Sequence, residues 1–200
     1  NNGTRAFNST SDFGRNFTIG KFSKALVFDG VNDYVKTNNT MFNFGTGNFA
    51  ITGWFKTLGG SETTGYILAK MANSAGATDV NVGYAVRLPS NNKIEVKIGG
   101  SGSELTLTSD EIYNDGNWHF FAATRSAASG GAGLGLYIDG LLKKSGDPNN
   151  MNLNAPHPVI IGAQHNSPNI PNPNQFFNGT IDEVSIWNVS LSESEIRKHY

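Results

Sequence analysis

Apolar and polar residues alternate with a period of two along most of this chain, the spacing that sends successive side chains to opposite faces of a strand. In 80–88 (VNVGYAVRL), Val80, Val82, Tyr84, Val86 and Leu88 share one face, and Asn81, Gly83, Ala85 and Arg87 share the other. In 92–98 (NKIEVKI), Ile94, Val96 and Ile98 alternate with Lys93, Glu95 and Lys97. Ser90, Asn91 and Asn92 lie between the two runs and are turn formers, so the pair predicts a hairpin. Asp139-Gly140, between LGLYI and LLKK, predicts another, because both residues accept the positive φ of a tight turn. The same pattern predicts strands at 24–29, 33–37, 49–56, 66–70, 103–108, 118–125, 134–139, 141–145, 158–162 and 177–188.

One segment breaks the pattern. In 192–199 (SESEIRKH), Ser192 with Glu195 three positions on makes a capping box, and Arg197, Lys198 and His199 suit the C-terminal end of a helix. The stretch 163–175 (AQHNSPNIPNPNQ) is rich in Pro and Asn and reads as a long irregular loop, a common location for binding residues. Many evenly spaced strands and one terminal helix predict an all-β, two-sheet antiparallel sandwich with a short C-terminal helix. No internal repeat or linker divides residues 1–200, so one domain is expected, with 1–19 a variable N-terminal strand or arm.

Composition narrows the chemistry. Apolar residues at 38%, charged residues at 16% and 24 glycines fit a turn-rich β protein. A net charge of −1 provides no field to attract nucleic acid or an anionic membrane. No run reaches transmembrane length and no signal peptide is read. The chain opens on Asn1, so a processed product or an excised piece of a longer protein is expected. With no cysteine, disulfides, thiolate metal sites and a cysteine nucleophile are excluded. Six N-x-S/T sequons, at Asn2, Asn8, Asn16, Asn38, Asn178 and Asn188, hint at the outside of a cell.

Two segments carry the most chemistry. FDGVNDYV at 28–35 and FNGTIDEVSIWN at 177–188 are strand-like runs with carboxylates, Asp29 and Asp182, at a place where a polar group needs a reason. A hard cation such as calcium accepts carboxylate and carbonyl oxygens in flexible numbers. The alternative is that both residues accept backbone N–H bonds at strand ends.

The motifs KALVFDGVNDYV, FAITGWFK, YILAK, GNWHFFAATR, LGLYIDG, VIIGA and FNGTIDEVSIWNVSLSESEI follow one another in order. They resemble the laminin-G-like jelly-roll domains of the concanavalin-A-like lectin and glucanase superfamily, with the pentraxins as cousins, over about residues 20–198. The resemblance implies two antiparallel sheets, one concave, with ligand sites on the concave face or in the rim loops. It also implies a structural calcium on the convex side, held by Asp182 with Gly30 and Asp29 of the early turn. The pentraxin pattern maps a second, ligand-binding site onto Asp79 and Asn81, then Gln164, His165 and Asn166. Amides and a histidine replace most of that pattern's acids, which weakens calcium binding and leaves groups suited to sugar hydroxyls.

A catalytic reading finds little support. Retaining glycosidases need two carboxylates roughly 5–5.5 Å apart, and on one strand that requires acids at alternate positions. Asp110-Glu111 and Asp182-Glu183 are adjacent and point to opposite faces. Trp118-His119 alternates within a strand, and Trp54 and Trp187 read as packing residues. Tyr84, Tyr113 and Tyr137 compete as the platform on which a sugar ring could stack. The expectation is a non-catalytic, extracellular or cell-surface, calcium-binding recognition module for glycans or a cell-surface protein. The alternative is a structural subunit of a filament, adhesin or surface layer, a homo-oligomer assembled through residues 1–19. A glycoside hydrolase ranks third.

Overall fold

The structure, a computed structural model, describes residues 4–6, 17–37, 41–58, 64–71, 81–100, 102–127, 133–167 and 170–200. In chain order the first strands are β1 (Thr4–Ala6), β2 (Phe17–Ile19), β3 (Lys24–Asp29), β4 (Tyr34–Lys36), β5 (Phe49–Lys56) and β6 (Gly65–Lys70). Next come β7 (Gly83–Leu88), β8 (Lys93–Gly100), β9 (Ser103–Ile112), β10 (His119–Arg125), β11 (Leu134–Ile138) and β12 (Leu141–Gly146). The chain closes with β13 (Ile160–Ile161), β14 (Gln164–Ser167), β15 (Ile170–Asn174), β16 (Asn178–Trp187) and the helix α1 (Glu193–His199).

Two seven-stranded sheets form the layers, ordered β1-β4-β13-β6-β7-β8-β9 and β12-β11-β10-β5-β16-β3-β2. The alternating residues meet between them. Tyr84, Val86, Ile94, Val96 and Ile98 of the first sheet pack on Phe49, Ile51, Phe55, Phe121, Leu134 and Leu136 of the second. The predicted two-sheet sandwich is therefore the observed architecture.

The turn chemistry behaves as expected. Ile138 pairs with Leu141, and Asp139 and Gly140 between them have φ of 51° and 73°, as a primed hairpin turn requires. Between β7 and β8, Asn92 takes φ 59° and its N–H donates to the Pro89 carbonyl at 2.9 Å. At α1, the Ser192 N–H donates to the Glu195 carboxylate at 2.8 Å, and the Ser192 hydroxyl accepts from the Glu195 N–H. Ile196 and Leu191 then cover Ala50, Trp54, Phe120 and Ala122 on the outer face of the second sheet.

Three expectations need correction. Stretch 163–175 is not irregular, because β14 and β15 form an antiparallel ribbon of their own. Pro171 and Pro173 read as strand breakers, yet in a two-stranded ribbon both strands are edges, where a missing N–H is tolerated. Strand β9 runs on to Ile112. Residues 1–19 contribute two short strands rather than one: β1 pairs with β4 in the first sheet and β2 with β3 in the second.

Candidate functional site

Asp182 sits opposite Trp54 in the ladder between β16 and β5, on the face that carries Trp54 and Phe120, away from the inter-sheet core. The register slips between Asp182 and Ser185 and Glu183 takes φ 49°, so a bulge aims the carboxylate. Its Oδ1 accepts from the Glu183 N–H at 2.9 Å and its Oδ2 from the Phe22 N–H at 3.2 Å. The turn Gly20–Ser23, closed by a 3.1 Å bond from the Gly20 N–H to the Ser23 carbonyl, lies over it. Phe22 meets Trp54 edge-on at 6.1 Å, and the Lys21 ammonium is 4.1 Å from the Trp54 ring centroid. Asp182 is 6% exposed and, among the described residues, enters no ion pair. Buried carboxylates are normally paired or bind a cation. Both Asp182 oxygens accept backbone N–H bonds, and no second acidic side chain among the described residues joins them.

Asp29 and Gly30 are elsewhere. Asn178 pairs with Asp29 and Ile181 with Leu26, so Asp29 and Asp182 lie four positions apart along the ladder, roughly 13 Å at the rise of a strand. Asp29 Oδ1 accepts from the Val31 and Asn32 N–H groups at 2.8 and 3.2 Å, and its own N–H donates to Asp33 Oδ2 at 3.1 Å. Burial raises the Asp33 carboxyl above its ordinary range, and the Asp29 charge adds to that effect. Gly30, with φ 78°, completes this self-contained turn beside Asn178. The expected trio does not converge, and the turn-capping alternative describes Asp29. No group of three His, Cys, Asp or Glu side chains among the described residues could hold a metal.

The rim set divides. Asp79 and the side chain of Asn166 lie outside the described residues. Asn81 takes φ 61° with Oδ1 buried and without a hydrogen-bond partner. Gln164 and His165 are 1% and 4% exposed, so they are not presented to a ligand in solution. Gln164 donates to Gln175 Oε1. His165 stacks obliquely on His157 at 5.1 Å. Burial first, then His157, Lys36 and Lys70, hold the His165 imidazole down at about 4. Lys70, itself fully buried, donates to the His157 carbonyl, and burial lowers its ammonium to about 8. Surroundings this basic do not fit calcium.

The outer face of the first sheet presents a different set, which sequence reasoning missed. Register aligns Tyr66, Arg87, Glu95 and Thr108 in one transverse row over β6, β7, β8 and β9. Arg87 Nε donates to Glu95 Oε2 at 2.7 Å and its Nη1 to the Tyr66 hydroxyl at 3.1 Å; Thr108 donates to Glu95 Oε1 at 3.0 Å. The next row holds Ala69, Ala85, Lys97 and Thr106, with Lys97 paired to Glu104 at 2.7 Å. Tyr66, Ala69 and Ala85 are buried and Glu95 is nearly so, and Arg87, Lys97, Thr106 and Thr108 are the members of these rows that reach the surface. The signal was present in the sequence: Arg87 and Glu95 flank the Asn turn at positions that a tight hairpin places opposite each other.

Glu95 and Glu104 are carboxylates on this face. Glu95 faces Thr108 and Glu104 faces Gly99, four positions along the ladder, roughly 13 Å at strand rise and beyond the ~5–9.5 Å of glycosidase pairs. Each is engaged by a cation. His119 is also fully occupied: Nδ1 is 2.8 Å from Asp139 Oδ2 and Nε2 is 3.1 Å from Asp115 Oδ1. Of the three tyrosine candidates, Tyr84 and Tyr113 are core residues and Tyr137 is half-buried on the outer face of the second sheet. Trp54 is buried on the outer face beneath α1, and Trp187 packs near it with its indole N–H 3.4 Å from Thr52 Oγ1.

Known proteins agree with this architecture. The binding domain of Paraclostridial mosquitocidal protein 1 superposes with a TM-score of 0.70 at 16% identity, over 92% of this chain and 44% of that one. The chain thus spans under half the length of that domain. A native heptameric SAP-like pentraxin from Limulus polyphemus matches at 0.61 and 13% identity, over 86% and 78% of the two chains. Domain 4 of AbnA, a GH43 extracellular arabinanase from Geobacillus stearothermophilus solved with arabinotriose, matches at 0.59 and 20%, over 91% and 79%. No curated protein sequence matches the chain. A laminin-G profile described as concanavalin A-like lectin/glucanases superfamily matches residues 29–197, and the chain belongs to that superfamily.

Proposed function

We propose that the protein is a non-catalytic, extracellular recognition module that binds a cell-surface glycan on the outer face of its first sheet. The observation that carries this reading is the half-buried pair Arg87 and Thr108, fixed at the surface by hydrogen bonds to the buried Glu95 and Tyr66, with Lys97 and Thr106 beside them. A hydroxyl-rich ligand gains most from donors and acceptors held in place before it arrives. The superfamily and neighbours whose names describe binding domains support it. The spacing of Glu95 and Glu104 and their engagement with cations favour binding over hydrolysis. Calcium enters this reading as a structural ion at Asp182, tying the 20–23 turn to β16.

Titration calorimetry with arabinotriose, followed by a glycan array, tests the proposal. Binding should be lost in Arg87→Ala and kept in Lys24→Ala, and no reducing sugar should be released. Binding that survives Arg87→Ala, or turnover that stops in Glu95→Gln, overturns it. A self-assembling subunit is the second reading, favoured by β2 ending its sheet with Ile19 87% and Phe22 51% exposed. An exposed strand edge is a template for another chain. Light scattering with calcium and with chelator separates the two: a monomer under both conditions removes the assembly reading.

A further inference from the structure

The outer face of the second sheet carries a trough that neither the Arg87–Glu95 row of the first sheet nor the Asp182 site uses. Register sets its floor. Thr124, Gly135 and Ser145 face one another across β10, β11 and β12, and the next row on that face is Ala122, Tyr137 and Leu142. Leu134, Leu136 and Ile138 turn into the core, so Gly135 and Tyr137 point outward. The chain entering α1 forms one wall. Thr124 Oγ1 accepts from the Leu191 N–H at 3.0 Å and donates to the Leu191 carbonyl at 3.3 Å, holding Ser190 to Glu193 along the edge. The open space over this floor is about 440 Å³, within the roughly 300–1,000 Å³ of small-molecule sites.

Gly135 explains the shape of the floor. Its φ lies outside the left-handed region, so the backbone does not demand glycine there. Glycine in mid-strand weakens the strand and marks a close approach. A Cβ at this position would lie 2.8 Å from Cε2 of Tyr137 and 3.5 Å from Cδ1 of Leu142. The missing side chain lets the phenol ring lie down along the strand instead of standing off it. Tyr137 and Leu142 thereby form a low apolar floor, flanked by the Thr124, Ser145 and Ser190 hydroxyls.

Charge narrows the occupant. Glu193, paired with Arg197, and Glu195, bonded to Ser192, stand at the wall, and among the described residues lining the trough there is no lysine or arginine. Carboxylates accept hydrogen bonds from hydroxyls and repel acids. A pyranose has an apolar C–H face to stack on an aromatic ring and a rim of hydroxyl donors. We propose that this trough binds a neutral pyranose stacked on Tyr137, on the opposite face of the sandwich from the Arg87–Glu95 row. The two sites would let one molecule bridge two glycan chains, where linked binding exceeds either affinity alone.

The test is an amide-resolved NMR titration of the full chain with the methyl glycosides of glucose, galactose, mannose and N-acetylglucosamine, and with glucuronic acid. At least one neutral glycoside should shift the amides of Gly135, Tyr137, Ser145 and Leu191, and glucuronic acid should not. Tyr137→Ala should weaken this binding about tenfold or more, Tyr137→Trp should retain it, and Gly135→Val should weaken it by propping the ring. Unchanged amide shifts far from the trough show that each variant is folded. A trough silent to all four glycosides, shifts that persist in Tyr137→Ala, or equal binding of glucuronic acid overturns the proposal. Shifts confined to Arg87, Glu95 and Lys97 would defeat the trough and leave the first-sheet reading standing; shifts confined to the trough would do the reverse.

Discussion

The backbone N–H of Phe22 donates to the Oδ2 of Asp182 at 3.2 Å across 160 positions of chain. This bond fastens the first turn of the second sheet to its closing strand. Gly20 makes the closure possible, because the carboxylate occupies the space a Cβ would need.

Calcium bound only to the folded state stabilises it by a few kcal/mol at on the order of 100–1,000 times Kd. Chelation should therefore lower the melting temperature, and Asp182→Ala should remove that response. Gly20→Ala should destabilise by about 1–3 kcal/mol, the usual range for overpacking, and should weaken the calcium response with it. A melting curve indifferent to EDTA in the unmutated protein would remove the ion from the account.

Arg125 should be the costliest polar side chain to lose from the sandwich. It is 1% exposed and donates to the Met151 carbonyl at 2.9 Å, Asn149 at 3.2 Å and Gly45 at 3.4 Å, joining two loops at one end. Arg125→Ala removes the guanidinium donor from the Met151 and Asn149 carbonyls and opens a cavity, which should cost about 3 kcal/mol or more in urea unfolding. Arg125→Lys should recover little, because one ammonium cannot reproduce the fork of a guanidinium. Full recovery by lysine would show that charge alone matters there.

Local chemistry explains what the sequence revealed. Period-two alternation and the Asp139-Gly140 turn are decided by neighbours in the chain, so strands and hairpins could be read directly. Asp182 stood out because a carboxylate interrupts an apolar strand. Its separation from Asp29 follows from the pairing of β3 with β16, a register set by packing between segments about 150 residues apart. His165 looked like a polar loop residue because proline and asparagine surround it; its burial and the basic groups His157, Lys36 and Lys70 acting on it follow from tertiary packing. Arg87 and Glu95 looked like ordinary water-facing residues until the hairpin register made them partners.

Two histidines should give stability a maximum near neutral pH. The Asp139 carboxylate, with Asp115, raises the His119 imidazole above its ordinary value. A raised value means stability that is complete below the unfolded value of about 6.5 and is lost as pH rises through the folded one. His165 works in the opposite direction. Its value falls to about 4, so between about 6.5 and that point the unfolded chain binds a proton that the folded chain refuses, and stability declines as pH falls. The acid limb should amount to on the order of 3 kcal/mol. Urea unfolding across pH in His119→Asn should flatten the alkaline limb alone, and in His165→Asn the acid limb alone. If both limbs persist in both variants, other groups govern the profile and the environments assigned to these two rings are wrong.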